Sequence, residues 1–247
     1  MPPLEWQRAI TDASAQGSCG QLRRLAKFDA AAVAAAAAEY WPDPLGLTCH
    51  YGHLDAARWI VATSGISARA VSSVCGGSLL RSACGNGHLP VVQWLAATFS
   101  LPVVEVHSAL RVACIDGHLN VARWLVAEFG LLAIDARAGN DHALRMACRN
   151  GHLRVVAWMI NWFALSAEDV RNVAWKCLWD ACAGGHLEVA QWLVGQFELT
   201  AKDTGACALA AARKNGHAEV ARWLVDDFGV DGASPDVAAW MALKWLS

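Results

Sequence analysis

The chain has 247 residues, 55% of them hydrophobic and 17% charged, which excludes compositional disorder and leaves ample length for a buried core. A formal net charge of −2 lacks the basic excess of a general nucleic-acid binder. The nine cysteines are odd in number and scattered, which fits free, buried thiols in a reducing compartment better than a secreted disulfide framework.

The opening residues, MPPLEWQRAITDAS, have neither the basic start nor the apolar stretch of a secretory signal, so a soluble, intracellular, cytoplasmic chain is expected. Ala13–Leu25 (ASAQGSCGQLRRL) reads as a degenerate repeat with two residues inserted after Gly17, and the alanine-rich Asp29–Glu39 as a helical extension of it. A Gly-His dipeptide then recurs as Gly52-His53, Gly87-His88, Gly117-His118, Gly151-His152, Gly185-His186 and Gly216-His217, at steps of 35, 30, 34, 34 and 31 residues. Three residues before the glycine stands a cysteine in five of the six copies, and four before it an alanine in five. Seven residues after the glycine every copy has a tryptophan (Trp59, Trp94, Trp124, Trp158, Trp192, Trp223), read as a core position.

One unit, HALRMACRNGHLRVVAWMINWF, shows the physics. Leu144, Ala147 and Cys148 fall on one face of a short helix, and Gly151 supplies the left-handed residue that ends it. A second helix follows at once, with Val155, Val156, Met159 and Ile160 on its apolar side. Such a pair exposes apolar surface on both flanks, so stacking of successive pairs must bury it. The uncharged stretch Ser82–Val104 contains Asn86, His88, Pro90 and two glycines, so it reads as one more helix-turn-helix. A membrane span would need about 20 predominantly apolar residues. At the end, Asp236–Leu246 carries Val237, Trp240, Met241 and Trp245 at helical spacing and reads as a terminal capping helix.

The turns ACGNGHLPVVQWL, ACIDGHLNVARWL, ACRNGHLRVVAWM and ACAGGHLEVAQWL resemble the ankyrin-repeat family, with Cys in place of the second Ala. The family's Thr-Pro-Leu-His opening is replaced by SALR, HALR or KCLW, and its Asp/Asn-Gly hairpins by segments such as FGLLAIDARAGND and FALSAEDVRNV, which read as irregular or partly helical. This Cys- and Trp-rich variant is similar to divergent arrays of protists, algae and large DNA viruses. The resemblance implies an all-α helix-turn-helix solenoid, a single curved array with degenerate terminal caps. Its parts are an N-terminal cap at 1–40, six repeats over 41–230 and a capping helix at 231–247.

The resemblance also implies a non-catalytic scaffold that holds another protein on its concave face, which the first helices line in that family. The alternative is a structural subunit held permanently in a larger assembly. Six residues before three of the glycines stand Arg81, Arg111 and Arg145, with Trp179 at the same place in the next copy. One turn further on, the same side carries Arg149 and Lys214. Together these six form the candidate partner-binding set, suited to an acidic or phosphorylated protein segment. The competing reading is that the arginines brace neighbouring repeats. Trp162, Trp175 and Trp179 lie off the repeated tryptophan position and read either as a binding anchor or as extra packing.

No catalytic role is expected, since each histidine fills one structural place six times and no nucleophile or phosphate-loop motif is present. Its expected role is a hydrogen bond to backbone at the turn. Nor is a metal, a cofactor or a small-molecule substrate expected: the recurring Cys-x3-His pairs sit too far apart in successive repeats to converge on zinc.

Overall fold

The structure, a computed structural model, describes residues 3–28, 42–64, 76–163 and 167–231. Among these residues every regular element is a helix: α1 (Pro3–Ala15), α2 (Cys19–Phe28), α3 (Pro42–His50), α4 (Leu54–Ser64), α5 (Gly76–Gly85), α6 (Leu89–Thr98), α7 (Val103–Ile115), α8 (Leu119–Phe129), α9 (Ala133–Ala136), α10 (Ala138–Arg149), α11 (Leu153–Phe163), α12 (Ala167–Gly184), α13 (Leu187–Phe197), α14 (Ala201–Lys214) and α15 (Ala218–Asp226). The segments Asp29–Glu39 and Asp236–Leu246, expected to be helical, lie outside the described residues.

The pairing of helices has a local cause. Each first helix ends at a glycine in the left-handed region, with φ between +64° at Gly17 and +86° at Gly117. The next residue closes the helix by a six-residue backbone hydrogen bond: His118 N donates to Ala113 O at 2.8 Å and His152 N to Ala147 O at 2.9 Å. This is the Schellman closure, and the second helix starts one residue later. The same bond runs from Ser18 N to Ala13 O at 2.9 Å, and α2 begins at Cys19. The expected two-residue insertion after Gly17 is therefore absent. Ser18 and Cys19 stand where other repeats have His and Leu, and Leu22 is the buried counterpart of Ala57 and Val92.

Packing divides the chain into two compact units, 1–113 with 118–131, and 114–117 with 132–247. In the first, α1 packs on α2 and α3, and α3 on α5. In the second, α12 packs against α10, α13 and α14. Both cores use the same positions. The Ala-Cys pairs before the turn, such as Ala83-Cys84 and Ala147-Cys148, are fully buried, and their small side chains let helices approach closely. Val91, Val92 and Leu95 in α6 and Val189, Ala190 and Leu193 in α13 fill the facing layer.

The repeated tryptophans are not core residues. All six are half-buried, whereas the residue after each, Leu125 beside Trp124 for example, is buried. One helical step of about 100° rotates the indole to the flank of the apolar stripe. There three of the rings pack edge-on against the phenylalanine five residues later, as in Trp94–Phe99 (centroids 5.5 Å, 81°) and Trp124–Phe129 (6.2 Å, 90°), while Trp223 stacks on Phe228 at 13°. Of the links, α9 occupies one and the 18-residue α12 begins within another, while residues 99–102 and 198–200 are non-helical.

Candidate functional site

Each histidine of the Gly-His turn reaches beyond its own turn to the preceding repeat. His53 Nε2 donates to Ala15 O at 3.1 Å, His88 Nε2 to His50 O at 2.9 Å, and His118 Nε2 to Gly85 O at 2.9 Å. In the second unit His217 Nε2 donates to Ala183 O at 3.1 Å. Each acceptor lies two residues before the preceding glycine, and the ring occupies the space a Cβ on that glycine would need. The expected backbone bond at the turn is made by the histidine's own N–H, and its ring joins repeats. The six rings thus share one structural duty, each lying over the glycine of the preceding repeat.

The candidate arginines occupy two situations. In the first unit Arg81 on α5 pairs with Glu105 on α7, and Gly77 leaves room for the glutamate side chain between them. Both partners remain more than one-third exposed. Arg111 is half-buried and has no ion-pair partner among the described residues. In the second unit Arg145 Nε donates to Asp180 Oδ2 at 2.7 Å, and Arg149 Nη1 stands 3.7 Å from Asp180 Oδ1. Asp180 has no exposed surface, and its Oδ1 has no hydrogen-bond partner. Burial pushes the Asp180 carboxyl above its ordinary value, against the opposing pull of Arg145, Arg149 and His142. Bracing of neighbouring repeats is thus visible at Arg81 and at Arg145. Lys214, at the end of α14, is exposed.

The off-position tryptophans separate. Trp162 stacks on Trp158, with centroids 5.1 Å apart and planes 14° from parallel, and does not line the cleft that the other two share. Trp175 and Trp179, one turn apart on α12, instead line a cleft of ≈ 350 Å³ together with Arg145 of α10, Lys176 and Cys207 of α14. Trp175 is 40% exposed, and Lys176 Nζ lies 5.7 Å from its ring centroid.

The sequence profile of ankyrin repeats in three copies matches residues 80–169 and 144–237, and a second ankyrin profile matches 47–96. The chain belongs to the ankyrin-repeat family. The crystal structure of the human ASB11 ankyrin repeat domain superposes with a TM-score of 0.51 at 21% identity, over 81% of this chain and 97% of that one, which speaks for the fold. No curated protein matches this ankyrin-repeat chain in sequence. Ankyrin repeats are in general protein–protein interaction modules, typically without catalytic activity.

Two acids of this ankyrin-repeat chain escape a reading of the sequence that looks only for cations. Asp180 stands five residues before its glycine, where the other copies have Leu47, Ser82, Val112, Met146 and Ala211. A single charge in an otherwise uncharged column was the available signal. Glu105 carries a weaker signal, since it falls in the first turn of α7, where the copies differ freely. The buried thiols are chemically quiet: burial pushes Cys114 and Cys182 up to about 12 and raises Cys84 as well. No group of three His, Cys, Asp or Glu side chains among the described residues is placed to hold a metal ion, and no described helix is long and apolar enough to cross a membrane.

Proposed function

We propose that this ankyrin-repeat chain is a non-catalytic scaffold, working inside the cell, that binds a partner protein through its first helices. The partner segment is acidic or phosphorylated, and it meets Arg81, Arg111, Arg145, Arg149, Trp179 and Lys214. The observation that carries this reading is the charge balance on α10 and α12. Arg145 and Arg149 share one carboxylate, and that carboxylate is hidden from solvent while both guanidinium groups reach it, so the surface they present is positive. Arg111 and Lys214 add positive charge on first helices without an ion-pair partner among the described residues. Guanidinium groups suit carboxylates and phosphates because their donors form a planar fork.

The test is affinity capture from the native cell with the wild-type chain and with the double variant Arg111→Glu, Lys214→Glu. The variant should keep the wild-type melting temperature and lose roughly 2 kcal/mol or more of partner affinity. Unchanged capture by the variant would overturn the reading.

A second reading, permanent membership of a larger assembly, draws on exposed aliphatic residues outside the candidate binding set. Val103 and Val104 in the first unit are 61% and 74% exposed, and Leu132 and Ile134 in the second are 65% and 70% exposed. It predicts a co-purifying complex that does not exchange its subunits, and Val104→Asp should release it.

A further inference from the structure

We propose that the cleft between α10, α12 and α14 is an anchor pocket for one kind of peptide element: a large apolar side chain with a carboxylate beside it in the sequence. The inference rests on the reading of the chain as a protein-binding scaffold and gives that partner a chemistry. The pocket lies wholly within the second unit and is built by three consecutive first helices.

Its walls give the first half of the argument. Trp175 and Trp179 sit four residues apart on α12, so their indoles share one side of the helix. At ≈ 350 Å³ the cleft is near the lower end of the ~300–1,000 Å³ of small-molecule sites, room for a side chain or two and not for a whole helix. Two partly exposed indoles around such a space present an apolar surface with few rotamers to freeze, the usual make-up of an interface anchor.

The rim supplies the second half. The charged residues that line the cleft, Arg145 and Lys176, are both cations. Asp180, the acid that holds Arg145, is fully buried and is not part of the lining. Asp180 takes the Nε edge of Arg145 at 2.7 Å, which fixes the plane of the guanidinium while its terminal nitrogens belong to the other edge. Asp180 is thus a positioning residue, and Arg145 is the fork that meets an incoming carboxylate. A cationic partner is disfavoured twice, by Arg145 and by Lys176, whose ammonium already stands 5.7 Å from the Trp175 ring.

The test uses the full chain with 5-fluorotryptophan incorporated, the Trp175 and Trp179 resonances being assigned from single Trp→Phe variants. The probes are four 12-residue peptides that differ only in a central pair: Glu-Phe, Gln-Phe, Glu-Ala and Lys-Phe. The Glu-Phe peptide should shift both resonances, with at least tenfold tighter binding than each of the other three. Trp179→Ala and Lys176→Glu, at half-buried positions whose change leaves the core intact, should each weaken it by tenfold or more. Equal binding of Glu-Phe and Lys-Phe, or no shift at Trp175 and Trp179 with any peptide, overturns the pocket. Failure of the broader reading looks different: the Glu-Phe peptide binds the cleft, yet the Arg111→Glu, Lys214→Glu variant captures the cellular partner unchanged. That result removes Arg111 and Lys214 from the partner's footprint and leaves the pocket's own selectivity standing.

Discussion

His118 donates its Nε2 proton to the carbonyl oxygen of Gly85, 2.9 Å away and 33 residues earlier in the chain. The bond requires the ring to lie over Gly87, in the space where any other residue would carry its Cβ. Gly87 is therefore constrained twice, by a φ of +75° and by the ring. Gly130 has a φ of +60° and nothing within 4 Å of the same position. Gly130→Ala should cost only the left-handed backbone term, about 1–2 kcal/mol. Gly87→Ala should cost that and also the displaced histidine bond, about 1 kcal/mol more. Denaturant unfolding of the two variants checks the order, and equal losses would remove the ring from the account.

The two arginine pairs should differ sharply on truncation. Arg81 and Glu105 are 39% and 34% exposed, so Arg81→Ala should cost no more than about 1 kcal/mol and should matter less in high salt. Arg145→Ala strands a buried carboxylate, and a loss of about 3 kcal/mol or more is expected. The sign of its pH dependence follows. Burial already raises Asp180 above its ordinary 3.8, and without Arg145 the rise is greater. A raised carboxyl contributes stability below its unfolded pKa and loses it as pH rises through the folded value. The Arg145→Ala variant should therefore approach wild-type stability near pH 3.8 and fall away above it. Melting temperatures measured across that range decide the point.

Trp124 and its neighbour Leu125 offer a direct comparison of flank and core. Leu125 has no exposed surface, and Leu125→Ala should cost 2–5 kcal/mol. Trp124 is half-buried and touches Phe129 edge to face, so Trp124→Ala should cost about 2 kcal/mol, most of it burial and the rest the aromatic pair. A loss for Trp124 larger than that for Leu125 would place the indole back in the core.

That comparison also shows where the sequence was readable. The spacing of Gly, Cys and His determined the helix pairs, because a left-handed residue must stop a helix and small residues must line a close approach. It could not orient Trp124, since an indole at the margin of an apolar stripe scores as apolar whichever way it points. At the candidate site, Arg145 was legible as a recurring arginine and Trp179 as a departure from it, and the structure brings them to one cleft. Asp180 was not, because a charge inside a helical face looks solvent-exposed until the neighbouring repeat is packed over it. Trp162 failed for the opposite reason: it is close to Trp175 in sequence but sits on α11, stacked on Trp158, and does not line the cleft.

The buried thiols predict an alkaline limit. Cys114 and Cys182 are pushed up from 9.0 to about 12 by burial. Their stabilising contribution is complete below pH 9.0 and is lost as pH rises towards about 12, because unfolding frees a thiol that then ionises. Stability should decline across that window, and less steeply in Cys114→Ala, which carries the alanine usual to the family. At pH 8 a thiol reagent should leave Cys84, Cys114, Cys148 and Cys182 unmodified until the protein unfolds. Rapid labelling of all four in the native state would contradict their burial.

Every histidine joint described here is made in one direction, from a ring to a carbonyl one repeat upstream, with the same two partners each time. Because each joint depends only on the identity of adjacent copies, a whole repeat can be gained or lost by tandem duplication or deletion while every remaining joint finds an equivalent acceptor. The cleft has no such freedom. Arg145, Trp179 and Cys207 come from three successive copies, and their order cannot be shuffled without dismantling it. Selection on copy number and selection on recognition therefore act on different residues of the same helices.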